Sequence, residues 1–265
     1  MYAFDYRRPH SLNEVDLALK ANPGATLLAG GQTLIPTMKQ RLAQPENVID
    51  LGGIAELRKI EVSSSALTIG AMATHASVAE SREVRAALPE LATLAEGIGD
   101  PHVRNRGTIG GSVANNDPAA DYPAALLALG ATVHTDKREI AADDFFQGLF
   151  TTALEEGEVI TAISFPLPAK FAYAKFANPA SRYALVGVAV AQHGADVRVA
   201  VTGAGQAGVF RVPAMESALK GALAVKALDG IMVDASDLNT DIHAGADYRA
   251  HLIAVMAKRA VAKLA

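Results

Sequence analysis

The chain of 265 residues contains no cysteine. That absence excludes disulfides, a thiolate nucleophile, Cys-ligated zinc and an iron–sulfur cluster held by this chain. No uncharged apolar run reaches the roughly 18 residues that a membrane span needs. The first ten residues, Met1 to His10, form no apolar leader, so the expected location is the cytoplasm. The sequence has no H-E-x-x-H, no G-x-S-x-G and no P-loop, which leaves a hydrolase or kinase reading without support. None of the histidines His10, His75, His102, His134, His193, His243 and His251 lies four residues from another, so there is no helical metal pair. Concentrated basic charge is missing as well. The net charge is −4 and the densest cationic cluster is Arg104 with Arg106, which argues against a nucleic-acid partner.

What remains is ordinary globular composition, half hydrophobic and one-fifth charged, in a chain long enough to bury a core unaided. Leu12, Val15 and Leu19 mark one face of a helix over Leu12–Lys20, with Ser11 as N-cap, Glu14 completing a capping box and Asn22-Pro-Gly24 ending it. Ala25–Ala29 reads as a strand, Gly30-Gly31 as a turn, Leu34–Leu42 as a helix and Val48–Leu51 as a strand, an α/β alternation. Leu57–Val62 and Ala66–Gly70 read as a hairpin joined by Ser63–Ser65. A helical stretch runs from Thr74 to about Gly97 with a break at Pro89, and a polar, glycine-rich segment covers Asp100–Asn116. An apolar helix, Asp121–Leu129, and strands Ala131–Thr135 and Val159–Phe165 follow.

The prolines Pro166 and Pro168, just before Lys170, mark a domain boundary. Beyond them strands at Tyr173–Ala177, Val186–Gln192 and Val197–Thr202 precede helices at Pro213–Ala224 and Tyr248–Leu264, an α+β order. Leu252, Met256, Ala260 and Leu264 give the last helix an apolar stripe.

Three glycine motifs stand out. Ala29-Gly-Gly-Gln-Thr33 lies between a strand and a helix, where adjacent glycines let consecutive N–H groups converge on an anion. An empty strand-to-helix turn fits the same residues. Gly107-Thr-Ile-Gly-Gly-Ser112 runs on to Asn115 and to Asp121, which is either an N-cap or an acceptor for ligand hydroxyls. Gly203-Ala-Gly-Gln-Ala-Gly208 fits G-x-G-x-x-G, but Val209–Pro213 is extended where a dinucleotide fingerprint needs a helix.

Taken together, Ala29-Gly-Gly-Gln-Thr-Leu-Ile-Pro36 and the run Arg104–Asp121 resemble the two flavin loops of the FAD-binding subunits of the molybdenum hydroxylase family. Pro179–Ala189 and Val201–Gly205 resemble that family's C-terminal domain, so the likeness spans the chain. The resemblance implies an α+β fold. A two-part FAD-binding α/β domain of the vanillyl-alcohol oxidase (PCMH) type covers 1–168, with subdomains of about 1–55 and 56–168, and a small antiparallel sheet with helices covers 169–265. It implies non-covalent FAD, with Leu28, Ala29, Gly30, Gly31, Gln32, Thr33, Leu34 and Ile35 and with Thr108, Ile109, Gly110, Gly111 and Ser112 cradling the pyrophosphate through N–H groups. Asn115 would add a short polar side chain to the cofactor site, Asp121 would bond FAD hydroxyls, and Ile98, Ile160 and Lys175 would approach the isoalloxazine, Lys175 favouring the reduced flavin. Family partners are a molybdopterin-binding large subunit and a [2Fe–2S] small subunit, assembled as a dimer of heterotrimers that passes electrons through FAD to an external acceptor. The alternatives are a self-contained FAD-dependent oxidoreductase of the same fold and a non-enzymatic interaction module. Among the histidines, His102 alone lies near the second loop in sequence.

Overall fold

The computed structural model describes residues 1–167 and 170–264. Pro168, half of the boundary proline pair, lies outside them. The architecture is α+β, built on three larger sheets, with Phe146–Gly148 and Thr151–Thr152 forming a fourth of two strands. In the first, the strand Asn47–Asp50 lies between Asp5–Arg7 and Thr26–Leu28, all parallel. Parallel neighbours need crossover connections, and Leu12–Ala21 and Leu34–Lys39 supply the helices. Ser11 Oγ accepts from Glu14 N as the capping box requires, while Glu14 Oε2 accepts from His10 N. The register pairs Leu28 with Asp50, so the first glycine turn begins where this sheet ends.

The second sheet is antiparallel, in the order Ile60–Val62, Ala66–Gly70, Ile160–Pro166, Thr132–Thr135, Glu139–Ala141. The third, also antiparallel, runs Lys170–Ala177, Ala184–His193, Asp196–Thr202, Phe210–Arg211. Between these two sheets lies the helix Tyr122–Leu129, whose eight residues are all buried. A helix that is apolar all round needs partners on every side. Here it shares one core with Ile163 and Phe165 of the second sheet and with Ala189, Ala191 and Ala200 of the third. The opposite face of the third sheet presents Val186, Val188, Val190, Val199 and Val201 to the C-terminal helix Ala246–Ala262, with the expected stripe of Leu252, Met256, Ala260 and Leu264 in that second core. Small residues face the inner helix and branched ones the outer, so strand Ala184–His193 is buried on both sides.

Several sequence readings shift in detail. The stretch from Thr74 to Gly97 is three helices, His75–Glu80, Arg82–Ala87 and Pro89–Glu96. Ser81 breaks it by taking extended angles and capping Val84 N, and Pro89 opens a helix at its first turn, where its missing N–H costs nothing. The Leu34 helix ends at Lys39 because Arg41 adopts a left-handed φ of 62°. Leu57 belongs to a 3-10 turn, Ala55–Arg58, ahead of the strand. Among the described residues no helix is long and apolar enough to cross a membrane.

The G-x-G-x-x-G segment is a strand-end turn. Gly203 has φ +83°, its N–H donates to Pro118 O, and a Cβ there would lie 2.4 Å from Ala184 O. Gly203→Ala is therefore expected to destabilise the fold by about 1–3 kcal/mol from backbone strain alone. Chemical denaturation measures this, and an unchanged midpoint would contradict the assignment.

Candidate functional site

The two glycine segments meet main chain to main chain. A Cβ on Gly30 would lie 2.2 Å from Arg106 O and 2.7 Å from Gly107 Cα, so only glycine permits the approach. A bridge between Thr74 and Thr108 and a hydrogen bond from His75 N to Gly107 O (2.9 Å) fasten the second segment to the body of the protein. Gly110 rests on Ala71, where a Cβ would sit 2.5 Å from the alanine Cβ.

The second segment departs from its expected loop form. Pro101–Arg104 and Ile109–Asn115 are short helices, and Gly110-Gly111 lies in the first turn of the latter. Four of its N–H groups are already engaged. Ile109 N donates to Ala73 O, Gly110 N to Ala71 O, Gly111 N to Thr108 Oγ1 and Ser112 N to Thr108 O, at 2.9–3.1 Å. These donors are not free to cradle a pyrophosphate. In the first segment Gly31 has φ +73°, and among the described residues the N–H groups of Gly30, Gly31, Gln32 and Thr33 find no acceptor within the chain.

Both segments border a cavity of about 690 Å³, inside the usual range for cofactor sites. Its wall takes Leu28 to Leu34 from the first segment and Thr108, Gly110, Gly111, Ser112 and Asn115 from the second, together with Ile98, Asp121 and Ile160. Ile35, Ile109 and Lys175 are not on that wall. Ile109 is fully buried in the main core, and the Ile35 side chain packs under Gly31.

Lys175 stands behind the wall. Its Nζ donates to Gly97 O (2.9 Å) and Arg182 O (3.0 Å) and pairs with Asp121 at 3.0 Å, which engages all three ammonium hydrogens. Asp121 in turn does not cap the helix it precedes. It has αR angles and makes no cap hydrogen bond, and its carboxylate turns to Lys175 and to Tyr173 Oη at 2.5 Å. Burial raises the Asp121 pKa, while the Lys175 charge and the Tyr173 hydrogen bond act against it.

Other wall residues were not among the candidates read from the sequence. Ser181, Arg182 and Tyr183 come from the third sheet's first connection, where Arg182 adopts φ +62° and donates to Gly99 O. His75, and not the exposed His102, is the histidine at the cavity. Its ring is 5% exposed, lies 5.4 Å from Tyr122, and leaves Nδ1 without a partner, as Tyr122 leaves its hydroxyl. Only the tertiary fold brings residue 75 against residues 107 and 122. Glu158, also on the wall, is held ionised by Arg138, with its pKa lowered to about 2.

Two expectations follow. Lys175→Met strands a buried carboxylate and unties two wall segments, so it should cost about 3–5 kcal/mol. The double variant Lys175→Met/Asp121→Leu should recover part of that in denaturation experiments, whereas simple additivity would exclude the coupling. Burial first, and then the Arg104 charge, lower the His75 pKa from 6.5 to about 4. The unfolded chain takes up that proton as pH falls through 6.5 and the folded chain only near 4, so about 3 kcal/mol of stability is lost across this window. His75→Leu should flatten that part of the pH–stability curve, and an unchanged slope would rule the group out.

Comparison with known proteins gives the family of the chain. Residues 2–168 match the family model described as the FAD binding domain in molybdopterin dehydrogenase. The chain is 37% identical to the nicotine 6-hydroxylase medium subunit of Paenarthrobacter nicotinovorans, over 98% of this chain and 96% of that protein. It is 36% identical to the carbon monoxide dehydrogenase medium chain of Hydrogenophaga pseudoflava, over 97% and 96% respectively. Among solved structures, reconstituted CO dehydrogenase from Oligotropha carboxidovorans superposes with a TM-score of 0.90 at 35% identity, covering 99% of this chain and 98% of that one.

Proposed function

The chain belongs to the FAD-binding subunits of the molybdenum hydroxylase family, and from that we propose that the 690 Å³ cleft holds one non-covalent FAD against the first glycine segment. The subunit is an oxidoreductase flavoprotein that serves electron transfer in a molybdenum hydroxylase complex. Bound FAD supplies the redox chemistry that joins partner centres to an external acceptor.

The observation that carries the placement is the set of unpartnered N–H groups at Gly30–Thr33, facing a cleft of cofactor size. Such a nest suits a pyrophosphate. Gly110, Gly111 and Ser112 then form the opposing wall by shape and hydroxyl contact, since their main-chain donors are spent, while among the described residues the Thr108 N–H has no acceptor. Lys175 and Tyr173 oppose the effect of burial on the Asp121 carboxyl, which has lone pairs left for a cofactor hydroxyl. Asn115, Ile98 and Ile160 contribute polar and apolar wall. Lys175 acts on the cofactor through Asp121 and the two wall segments it ties.

The partners in this proposal are a molybdopterin-binding large subunit and a [2Fe–2S] small subunit, in a dimer of heterotrimers, and a cytoplasmic location belongs to the same reading. So does the division into 1–168 and 169–265, which is supported by the change from the second sheet to the third at that point. The relatives' names supply the subunit context, and the absence of cysteine requires any cluster to be held elsewhere.

The test is the complex purified with its partners. It should show visible flavin absorbance that acid precipitation releases into solution. Gly30→Ala should lose most of that flavin while far-UV circular dichroism stays unchanged. A complex without flavin even after FAD is supplied, or full flavin content in Gly30→Ala, would sink the assignment.

A further inference from the structure

Next to the flavin cleft, and sharing Ala29, Gly30, Met72 and Thr108 with its wall, lies a second depression of about 310 Å³. Arg8 and Arg58 donate to the same acceptor, Gly52 O, at 3.1 and 2.7 Å, which holds two guanidinium groups side by side. Arg106 lines the same depression, and among the described residues its guanidinium has neither a hydrogen-bond acceptor nor an ion-pair partner. One carboxylate, Asp50, sits among them. It already accepts from Gly52 N at 2.8 Å and from Tyr6 Oη at 2.5 Å, and reaches Arg8 Nε only at 3.5 Å.

Three guanidinium charges around one carboxylate leave an excess of two positive charges, in a chain whose net charge is −4. Like charges held this close repel, and an anion relieves the repulsion. Guanidinium forks suit phosphate oxygens, which they bind bidentately. The depression is at the small end of ligand sites and larger than one carboxylate side chain needs.

We propose that the depression bounded by Arg8, Arg58 and Arg106 is a second anion site, separate from the flavin cleft, that takes the phosphate groups of a nucleotide-sized small molecule. None of the three arginine side chains takes part in holding FAD as described above, so the two sites stand or fall separately.

The probes are ADP and inorganic pyrophosphate, titrated calorimetrically into the flavin-loaded complex at low and raised salt. The complex should bind ADP with an affinity that falls as salt rises. Arg8→Gln/Arg58→Gln should weaken binding by about tenfold or more, and Arg106→Gln should do likewise, with flavin content and subunit composition unchanged. No binding by the unmodified complex, or equal binding by the variants, overturns the proposal. Loss of flavin in the arginine variants would make the depression part of the flavin cleft. Loss of a partner subunit would make it an assembly surface for an acidic segment. Either result overturns the proposal as well. A complex devoid of flavin would count against the flavin assignment alone, because the difference between the unmodified complex and the arginine variants, which share the same flavin cleft, still reads the depression.

Discussion

Two stretches of main chain touch in this protein with no side chain between them. Gly30 lies against Arg106 and Gly107 so closely that a single methyl group would occupy the place of a carbonyl oxygen. That contact joins the edge of the parallel sheet to the segment that feeds the central helix, and it sets the floor of the cleft. Once Gly30 is seated, the bridge from Thr74 to Thr108 and the rest of Gly110 on Ala71 follow as neighbouring contacts of one seam. The seam also uses up the hydrogen-bonding capacity of one partner. The second segment spends its N–H groups on Ala71, Ala73 and its own threonine, while the first keeps its donors free. The two glycine pairs thus divide the work, one anchoring and the other binding.

A second polar element extends from the cleft into the third sheet. Asp121 and Tyr173 are buried, the half-buried Lys175 pairs with Asp121, and its ammonium also reaches the main-chain oxygens of Gly97 and Arg182. Buried charge is tolerated when it is paired and hydrogen-bonded, and here all three Lys175 donors are matched. The arrangement makes the C-terminal part of the chain a contributor to the cofactor site, although most of the wall comes from residues before 168.

Much of this was legible in the sequence where a local rule decides the outcome. Ser11, Pro89 and the glycine pairs have meanings that depend on a few neighbours, and the alternation of the third sheet follows from its valines. The family resemblance at Arg104–Asp121 held, and so did the rejection of Gly203–Gly208 as a dinucleotide motif, because an extended Val209–Pro213 is readable without a fold. The misplaced residues share a different cause. Lys175, Ile35 and Ile109 sit one layer behind the wall, and which layer a side chain occupies is a property of packing. Proximity in sequence to the second segment points to His102, whereas the fold puts His75 at the cavity. The real neighbour comes across the Thr74–Thr108 bridge, a pairing that no spacing announces. The engaged donors of Gly110 and Gly111 are likewise a tertiary fact.

The helix Tyr122–Leu129 has a consequence for how the protein is made and handled. Its side chains are covered on one side by strands that precede residue 168 and on the other by strands that follow it. A ribosome releasing the first two-thirds of the chain therefore exposes an apolar helix with half its covering still unsynthesised, the kind of surface that chaperones bind and that aggregates when left bare. The boundary visible along the chain is thus not a place where the protein can be cut into two soluble pieces. Expression, crystallisation or display of the flavin-binding portion calls for the complete chain.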